Sequence, residues 1–425
     1  MNKNKIDFNA QARTNPIFLT AKTAICFMAN AKIPESVEIV RCLGLENNEP
    51  LNEIADSDTI LGNSLVVETK YRTMCNLIKN SGYHTCVDLP CGYTPKALHM
   101  TEKGLKFIGL DLPIVVQEIS PIIYSLAKYP QSISFFGVDA TNYESLETAL
   151  SDIDEQICIT TEGMMMYFTE NEVDTVISNI SSLLNLYGGC WITPDPEFKL
   201  QFTYSFLSVF GKNSLDKLNN SGKVAQKQSN VVNLSNSFIV DATDIQSSTK
   251  NAENLLLKHG LKAEKINLAE NMPELSIYHK LTAEQILKFK DAMKNCNYWR
   301  ITPEKTKNLQ ENVAISKKCP FDMSYNFENG NFLLKLSGRF DSLSAPKILM
   351  TLETEKKSKI IDGIQIDCSE LEYISSAGTR MLSNIQKNFN RGVVLFNVNS
   401  YVSTILAQNG FTQVGERNWK LSDNF

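Results

Sequence analysis

The chain has 425 residues, more than one ordinary hydrophobic core serves and about enough for two domains. It is 43% apolar and 21% charged with a net charge of −5, a globular composition whose acidic balance argues against nucleic acid as a partner. No stretch approaches the roughly 20 apolar residues that span a bilayer, residues 1–16 hold no apolar signal core, and the ten cysteines lack a CxxC pair or a histidine cluster. The expectation is a cytoplasmic protein with reduced thiols, no membrane segment and no metal.

Residues 1 to about 80 read as helices, with apolar residues at helical spacing in TAKTAICFMANA and VETKYRTMCNLIKNSG. From His84 the pattern changes to alternating strands and helices. HTCVDLP, KFIGLDLP, SISFFGVDA, EQICITTEGMMMYF and CWITPD supply five strands. Between them lie the helices PKALHMTEKG, IVVQEISPIIYSLAKY (interrupted by Pro121), NYESLETALSD and TENEVDTVISNISSLLNLYGG. The last carries a capping box, Thr169 to Glu172, and ends at the Gly188-Gly189 pair. Repeated β-α-β units predict a mostly parallel sheet with helices on both faces and a ligand site at the carboxyl ends of its strands.

Residues 196–300 read as less regular, with a polar segment at 211–237 and a capped helix, LTAEQILKFKDAMKN. The polar, lysine-rich stretch 302–318 reads as a linker, dividing a domain at 1–301 from one at 319–425. A second α/β unit follows it: the strands NFLLKLSGRF, IIDGIQIDCS and GVVLFNV alternate with the helices SAPKILMTLETEKK, AGTRMLSNIQKNFN and SYVSTILAQNG.

The first unit ends its strands in residues suited to a nucleoside cofactor. Asp88 and Gly92 follow the first strand, Asp111 and Leu112 the second, Asp139-Ala140 the third, and Glu162-Gly163 lie near the end of the fourth. A carboxylate after the second strand can accept from both hydroxyls of a ribose. A small residue beside an acid after the third leaves room for adenine and an acceptor for its amine. Gly92 permits close backbone approach. Asp and Gly also favour plain turns, so each position alone is weak; the register of four is the signal.

ETKYRTMCNLI, VDLPCGYTP, FIGLDLP, GVDATNY, TTEGMMMYFTENEV and GGCWITPDP together resemble the leucine carboxyl methyltransferase family, over about residues 10–300. The resemblance implies a class I methyltransferase fold, Rossmann-like, with S-adenosylmethionine as cofactor and S-adenosylhomocysteine as product. It implies that Arg72 grips the methionine carboxylate, that Gly92 lines the cofactor, that Asp111 holds the ribose and that Asp139 and Ala140 frame the adenine. Glu162 and Tyr167 would sit near the cofactor. One departure stands out: the glycine the family has two positions before Gly92 is Pro90 here. A dinucleotide oxidoreductase is disfavoured because no G-x-G-x-x-G is present.

Methyl transfer from a sulfonium is an in-line displacement that needs positioning and dryness more than acid–base chemistry. No His–carboxylate dyad is evident, and His84 and His99 read as structural. The catalytic residue is therefore unassigned, and the acceptor reads as a carboxylate or an acidic hydroxyl on a small molecule or a protein.

In the second unit, IQIDCSELEYISSAGTRMLSNI, with LSGRFDSLSAPKI before it and GVVLFNVNSYVSTILAQNGF after it, resembles the STAS domain of anti-sigma-factor antagonists. The resemblance implies a small α/β domain that binds a protein partner, a kinase or an anti-sigma-like protein, and a phosphorylatable serine at Ser376. A plain helix cap is the alternative at that serine. Two readings of the whole remain: a regulated O-methyltransferase, or a non-catalytic interaction protein whose degenerate methyltransferase fold supports the STAS module.

Overall fold

The computed structural model describes residues 17–46, 51, 56–211, 214, 234–304, 321–328, 330–386, 389 and 391–421. They fall into two compact units, 17–313 and 314–425. Most of the expected linker, and most of the polar segment at 211–237, lie outside the described residues.

The first unit opens with helices α1 (Ile17–Asn30), α2 (Ser36–Cys42) and α3 (Ser57–Lys79). Its sheet has seven strands: β1 (Thr85–Asp88), β2 (Lys106–Asp111), β3 (Ile133–Gly137), β4 (Ile157–Thr160), β5 (Gly189–Thr193), β6 (Leu261–Asn267) and β7 (Asn297–Pro303). Their order is β3-β2-β1-β4-β5-β7-β6. Strands β3 through β5 pair in parallel, while β7 runs antiparallel to both of its neighbours. That order, with one reversed strand inserted next to the edge, is the topology of a class I methyltransferase fold. Strands β1 and β4 are buried at every residue, as expected for a parallel sheet covered on both faces. Cys86, Cys158 and Cys190 stand side by side in register on β1, β4 and β5, small groups buried completely.

The crossovers are α4 (Lys96–Thr101), α5 (Pro113–Leu126), α6 (Tyr143–Ala149) and α7 (Glu170–Tyr187). Pro121 does not interrupt α5. It lies inside the helix on the exposed side, where solvent can satisfy the carbonyl that loses its partner. The capping box Thr169–Glu172 is formed at the start of α7. That helix stops at Gly188 (φ 75°), and Gly189 (φ 107°) begins β5. A Cβ at 189 would lie 1.9 Å from the Ile157 carbonyl oxygen, so only glycine fits.

Residues 196–300 are more regular than their sequence suggests. Helices α8 (Phe198–Phe210), α9 (Ile245–Lys258), the short α10 (Leu268–Asn271) and α11 (Ala283–Met293) accompany β6 and β7. Strand β7 continues two residues past the expected domain end at 301. Trp191 of β5 stacks on Phe238 with ring centroids 5.6 Å apart, and Phe238 meets Trp299 of β7 edge-on. This aromatic layer joins the reversed strand to the parallel core.

The second unit is a six-stranded sheet ordered β12-β13-β11-β10-β9-β8. Its strands are β8 (Asp322–Glu328), β9 (Asn331–Phe340), β10 (Gly363–Ile374), β11 (Gly392–Phe396), β12 (Phe411–Gly415) and β13 (Asn418–Leu421). Strands β9, β10 and β11 are parallel. Helices α12 (Ala345–Lys356), α13 (Ser376–Gln386) and α14 (Ser400–Gln408) complete it. Ile348, Leu352, Ile364, Ile366, Met381, Leu382, Val393, Leu395, Val402 and Ile405 form a core of its own.

Candidate functional site

The first four strands deliver their carboxyl ends to one edge of the sheet. Asp88 closes β1 and is fully buried. Its register neighbour on β4, Thr160, donates Oγ1–H to Asp88 Oδ1 at 2.6 Å. Lys96, the first residue of α4, donates Nζ–H to the same oxygen at 2.8 Å. Burial pulls the Lys96 ammonium down, but Asp88 and Glu162 outweigh it and hold the group above its ordinary range. Among the described residues Asp88 Oδ2 is buried without a hydrogen-bond partner. A buried carboxylate oxygen of this kind can accept a further donor, and pairing it is worth roughly 1–3 kcal/mol.

The loop after β1 contains a cis peptide bond at Leu89–Pro90 and turns at Gly92, whose φ of 55° is left-handed. The Gly92 N–H donates to Asp111 Oδ2 at 2.7 Å, and the Leu112 N–H donates to Asp111 Oδ1 at 2.7 Å. Burial pushes the Asp111 carboxyl up to about 7, against the effect of those two amides. Asp139 Oδ1 accepts from the Thr141 N–H at 2.9 Å and hydroxyl at 2.6 Å, which shapes the turn after β3. The Ala140 carbonyl accepts from Asn179 of α7 at 2.9 Å.

Glu162 lies beyond β4. Burial raises its carboxyl, and Lys70 and Lys96 counter that rise. Lys70, on α3, places Nζ 3.9 Å from Glu162 Oε1. Tyr167, in a single tight turn at Met165–Tyr167, is buried and its phenol is pushed up to about 12. The structure thus brings Asp88, Gly92, Asp111 and Leu112 together around one pair of loops, with Lys96 bonded to Asp88 and within the electrostatic influence of Glu162.

Arg72, on α3, is engaged by other partners. Its Nε donates to Glu68 Oε1 at 2.5 Å and its Nη2 to Ser276 Oγ at 2.5 Å. The fully buried Glu68 also accepts the Ser276 and Ile277 N–H groups at 2.8 and 2.9 Å. Arg72 and Glu68 together clasp the segment at 276–277 onto α3.

Three residues escape the sequence reading. Lys96 and Lys70 carry no signal there, because a lysine on a helix is ordinarily solvated. Asp195 lies within the CWITPD run, beyond β5. Its carboxylate accepts the N–H groups of Gly163, Met164 and Met165 at 2.6, 3.1 and 3.1 Å, fixing the loop that carries Glu162 and Tyr167. The sequence also shows no His–carboxylate dyad, yet His99 Nε2 lies 2.7 Å from Glu35 Oε2 and its Nδ1 lies 2.6 Å from the Tyr71 hydroxyl. Tyr71 is buried, so this chain of groups ties α3 and α4 to the turn before α2. His259 likewise meets Asp174 at 2.8 Å.

In the second unit, Ser375 is the cap of α13, accepting the Gly378 N–H at 3.2 Å. Ser376 is the first helical residue, and the cap role considered for it falls one position earlier. Both serines are buried, and Ser376 Oγ accepts from Asn409 Nδ2 at 3.4 Å. Beside them, Arg339 stacks on Tyr373 at 3.7 Å and bonds Asp341 at 2.9 Å.

Among the described residues no group of three or more side chains could hold a metal ion, and no helix is long and apolar enough to cross a membrane. The chain is similar to a DUF574 family protein from Streptomyces avermitilis (10% identity, TM-score 0.42, covering 67% of this chain and 97% of that one). It is similar to an O-methyltransferase family protein from Burkholderia thailandensis (12%, TM-score 0.33, 64% and 72%). It is also similar to human N-acetylserotonin methyltransferase in complex with SAM (12%, TM-score 0.31, 67% and 67%). No curated protein matches the chain. Residues 323–423 match the family model of the STAS domain, so the chain carries a STAS domain after a sheet of methyltransferase topology.

Proposed function

We propose that the protein is an S-adenosylmethionine-dependent O-methyltransferase acting on a carboxylate or an acidic hydroxyl, with a STAS domain that recruits a protein partner. The observation that carries this reading is the set of strand-end groups on a sheet of methyltransferase order: Asp88 with a buried oxygen that has no hydrogen-bond partner among the described residues, the Gly92 turn, and the Asp111 carboxylate. These groups fit the cofactor. Each Asp111 oxygen has a second lone pair for a ribose hydroxyl. Asp139 and Ala140 suit the adenine edge. Asp88 Oδ2 and Glu162 suit an ammonium.

The cofactor supplies an electrophilic methyl group when bound. The chain's own part is binding, orientation and exclusion of water. Asp195 holds the loop of Glu162 and Tyr167, so that one wall of the site is pre-set. A carboxylate acceptor needs no base from the protein. A second reading is favoured by one feature: both Asp111 oxygens and one Asp88 oxygen already have protein donors. In that reading the first unit is a scaffold for the STAS module.

Calorimetry on the full chain separates the two. Micromolar binding of S-adenosylhomocysteine, weakened at least tenfold in Asp111→Ala, supports the enzyme. Absence of heat and of thermal shift with either cofactor form leaves the scaffold.

A further inference from the structure

At the amino ends of β4 and β5, away from the strand-end acids, two thiols face each other. Cys158 and Cys190 are register partners on these parallel strands, and their sulfurs lie 4.0 Å apart. Neighbouring strands are spaced by about 4.8 Å, inside the roughly 4.4–6.8 Å that separates the Cα atoms of a disulfide. The sheet therefore holds the two residues at a separation that a bond between the sulfurs can span. Cys86 completes the row on β1, but its thiol bonds the Thr160 hydroxyl.

A cation stands beside one of the two sulfurs. Arg300 of β7 is the register partner of Ile192, so its side chain lies on the same face of the sheet as Cys190, two residues back along β5. The guanidinium acts on the Cys190 sulfur and on the Tyr83 hydroxyl. Among the described residues Arg300 forms no ion pair with a carboxylate, Glu264, its register partner on β6, included, and its Nε is buried without a hydrogen-bond partner. The bond with Cys158 and the Arg300 charge hold the Cys190 thiol below its ordinary range against the cost of burial. Cys158, facing that sulfur, is pushed well above it. One sulfur is set to be a thiolate and the other to keep its proton. A thiol that only fills space gains nothing from a cation beside it.

We propose that Cys158 and Cys190 are an oxidisable dithiol, converted by hydrogen peroxide to a disulfide that ties β4 to β5, with Cys190 as the attacking sulfur and Arg300 as the cation beside it. The Cys190 thiolate attacks one peroxide oxygen and the O–O bond breaks. The departing hydroxide takes up the proton that Cys190 released and leaves as water, with Cys190 as a sulfenic acid. The Cys158 sulfur then attacks the Cys190 sulfur, and its proton leaves with the displaced hydroxyl as a second water. Two thiols are oxidised and one peroxide is reduced. Both sulfurs are fully buried, so the oxidant has to be small and uncharged.

The test exposes the folded full chain to hydrogen peroxide, removes the excess with catalase, and unfolds the chain in iodoacetamide for peptide mass mapping. Cys158 and Cys190 are expected to escape alkylation and to appear in one linked peptide pair, two hydrogens lighter than the free thiols, that dithiothreitol separates. The exposed Cys42 reports that the peroxide was effective. In Cys158→Ala, Cys190 stops at the sulfenic acid and is labelled by dimedone added with the denaturant. Linking slows about tenfold in Arg300→Met and returns to within about threefold of the wild type in Arg300→Lys, because the cation favours the reactive thiolate. Alkylation of both cysteines after an exposure that oxidises Cys42 overturns the proposal, as does a link from Cys158 to Cys86. A link that forms as fast in urea as in the folded chain also overturns it, since the sheet then contributes nothing. Equal rates in the wild type and Arg300→Met remove Arg300 from the reaction.

Discussion

Gly92 and Asp111 are joined by a 2.7 Å hydrogen bond from the backbone of one to the carboxylate of the other. The loop after β1 and the acid at the end of β2 therefore move as one piece. Burial holds that carboxyl at about 7, far above the roughly 3.9 of an unfolded aspartate. A raised carboxyl favours the folded state at low pH, and that contribution is lost as pH climbs from about 4 through 7. Ribose hydroxyls donate best to the ionised form, so ligand affinity should run the other way. S-adenosylhomocysteine is expected to bind several-fold more tightly at pH 8 than at pH 6, with the difference abolished in Asp111→Asn. A flat profile in the wild type would remove Asp111 from the ligand.

Lys96 and Asp88 form a buried ion pair beneath the site. Removing one partner leaves the other charged and dry. Lys96→Met is expected to lower stability by about 3 to 5 kcal/mol. Lys96→Met with Asp88→Asn should recover more than half of that loss, because no lone charge remains. Denaturant melts of the two variants decide it; a cost below about 1 kcal/mol for the single change would mean that the pair is hydrated.

Asp195 gathers three backbone N–H groups of the loop after β4. Asp195→Ala strands all three. The expected loss is about 2 to 4 kcal/mol in global stability, with faster amide exchange concentrated at Gly163, Met164 and Met165. Exchange by mass spectrometry checks the location. Uniform acceleration across the unit would show that the carboxylate does not act on that loop in particular.

Ser375 and Ser376 should separate cleanly in the STAS unit. Ser375→Ala removes the cap of α13, at a cost of about 1 kcal/mol. Ser376→Ala loses the long bond from Asn409, whereas Ser376→Asp buries a charge and should be the worst of the three. If Ser376→Asp melts like the wild type, that face opens in solution and a kinase can reach the serine.

The central strands are legible in the sequence because each is a short apolar run with Asp, Gly or Pro at its end or just beyond it. Helices α7 and α11 are legible from their capping boxes, both of which are formed. Strand β6 is not, since LKAEKIN sits at a sheet edge and exposes much of its length. Strand β7 hides next to the lysine-rich stretch that reads as linker, and β8, β12 and β13 are short or polar at the margins of their sheet. The strand-end acids stand out by position alone. Lys70, Lys96 and Asp195 do not, because their importance comes from burial, and burial of a charge leaves no trace in spacing or periodicity.

The close approach of Gly189 to Ile157 also bears on how this chain can change over generations. Every coded residue except glycine carries the atom that would collide with the Ile157 carbonyl. The collision is with backbone, so no repacking of neighbouring side chains relieves it. Its neighbours Cys190 and Trp191 touch side chains that can co-vary with them, and they are free to drift together with Cys158 and Phe238. Position 189 has no such partner to negotiate with. In a saturation library it should tolerate one letter, and in any descendant lineage it marks the joint between α7 and β5 after the surrounding sequence has become unrecognisable.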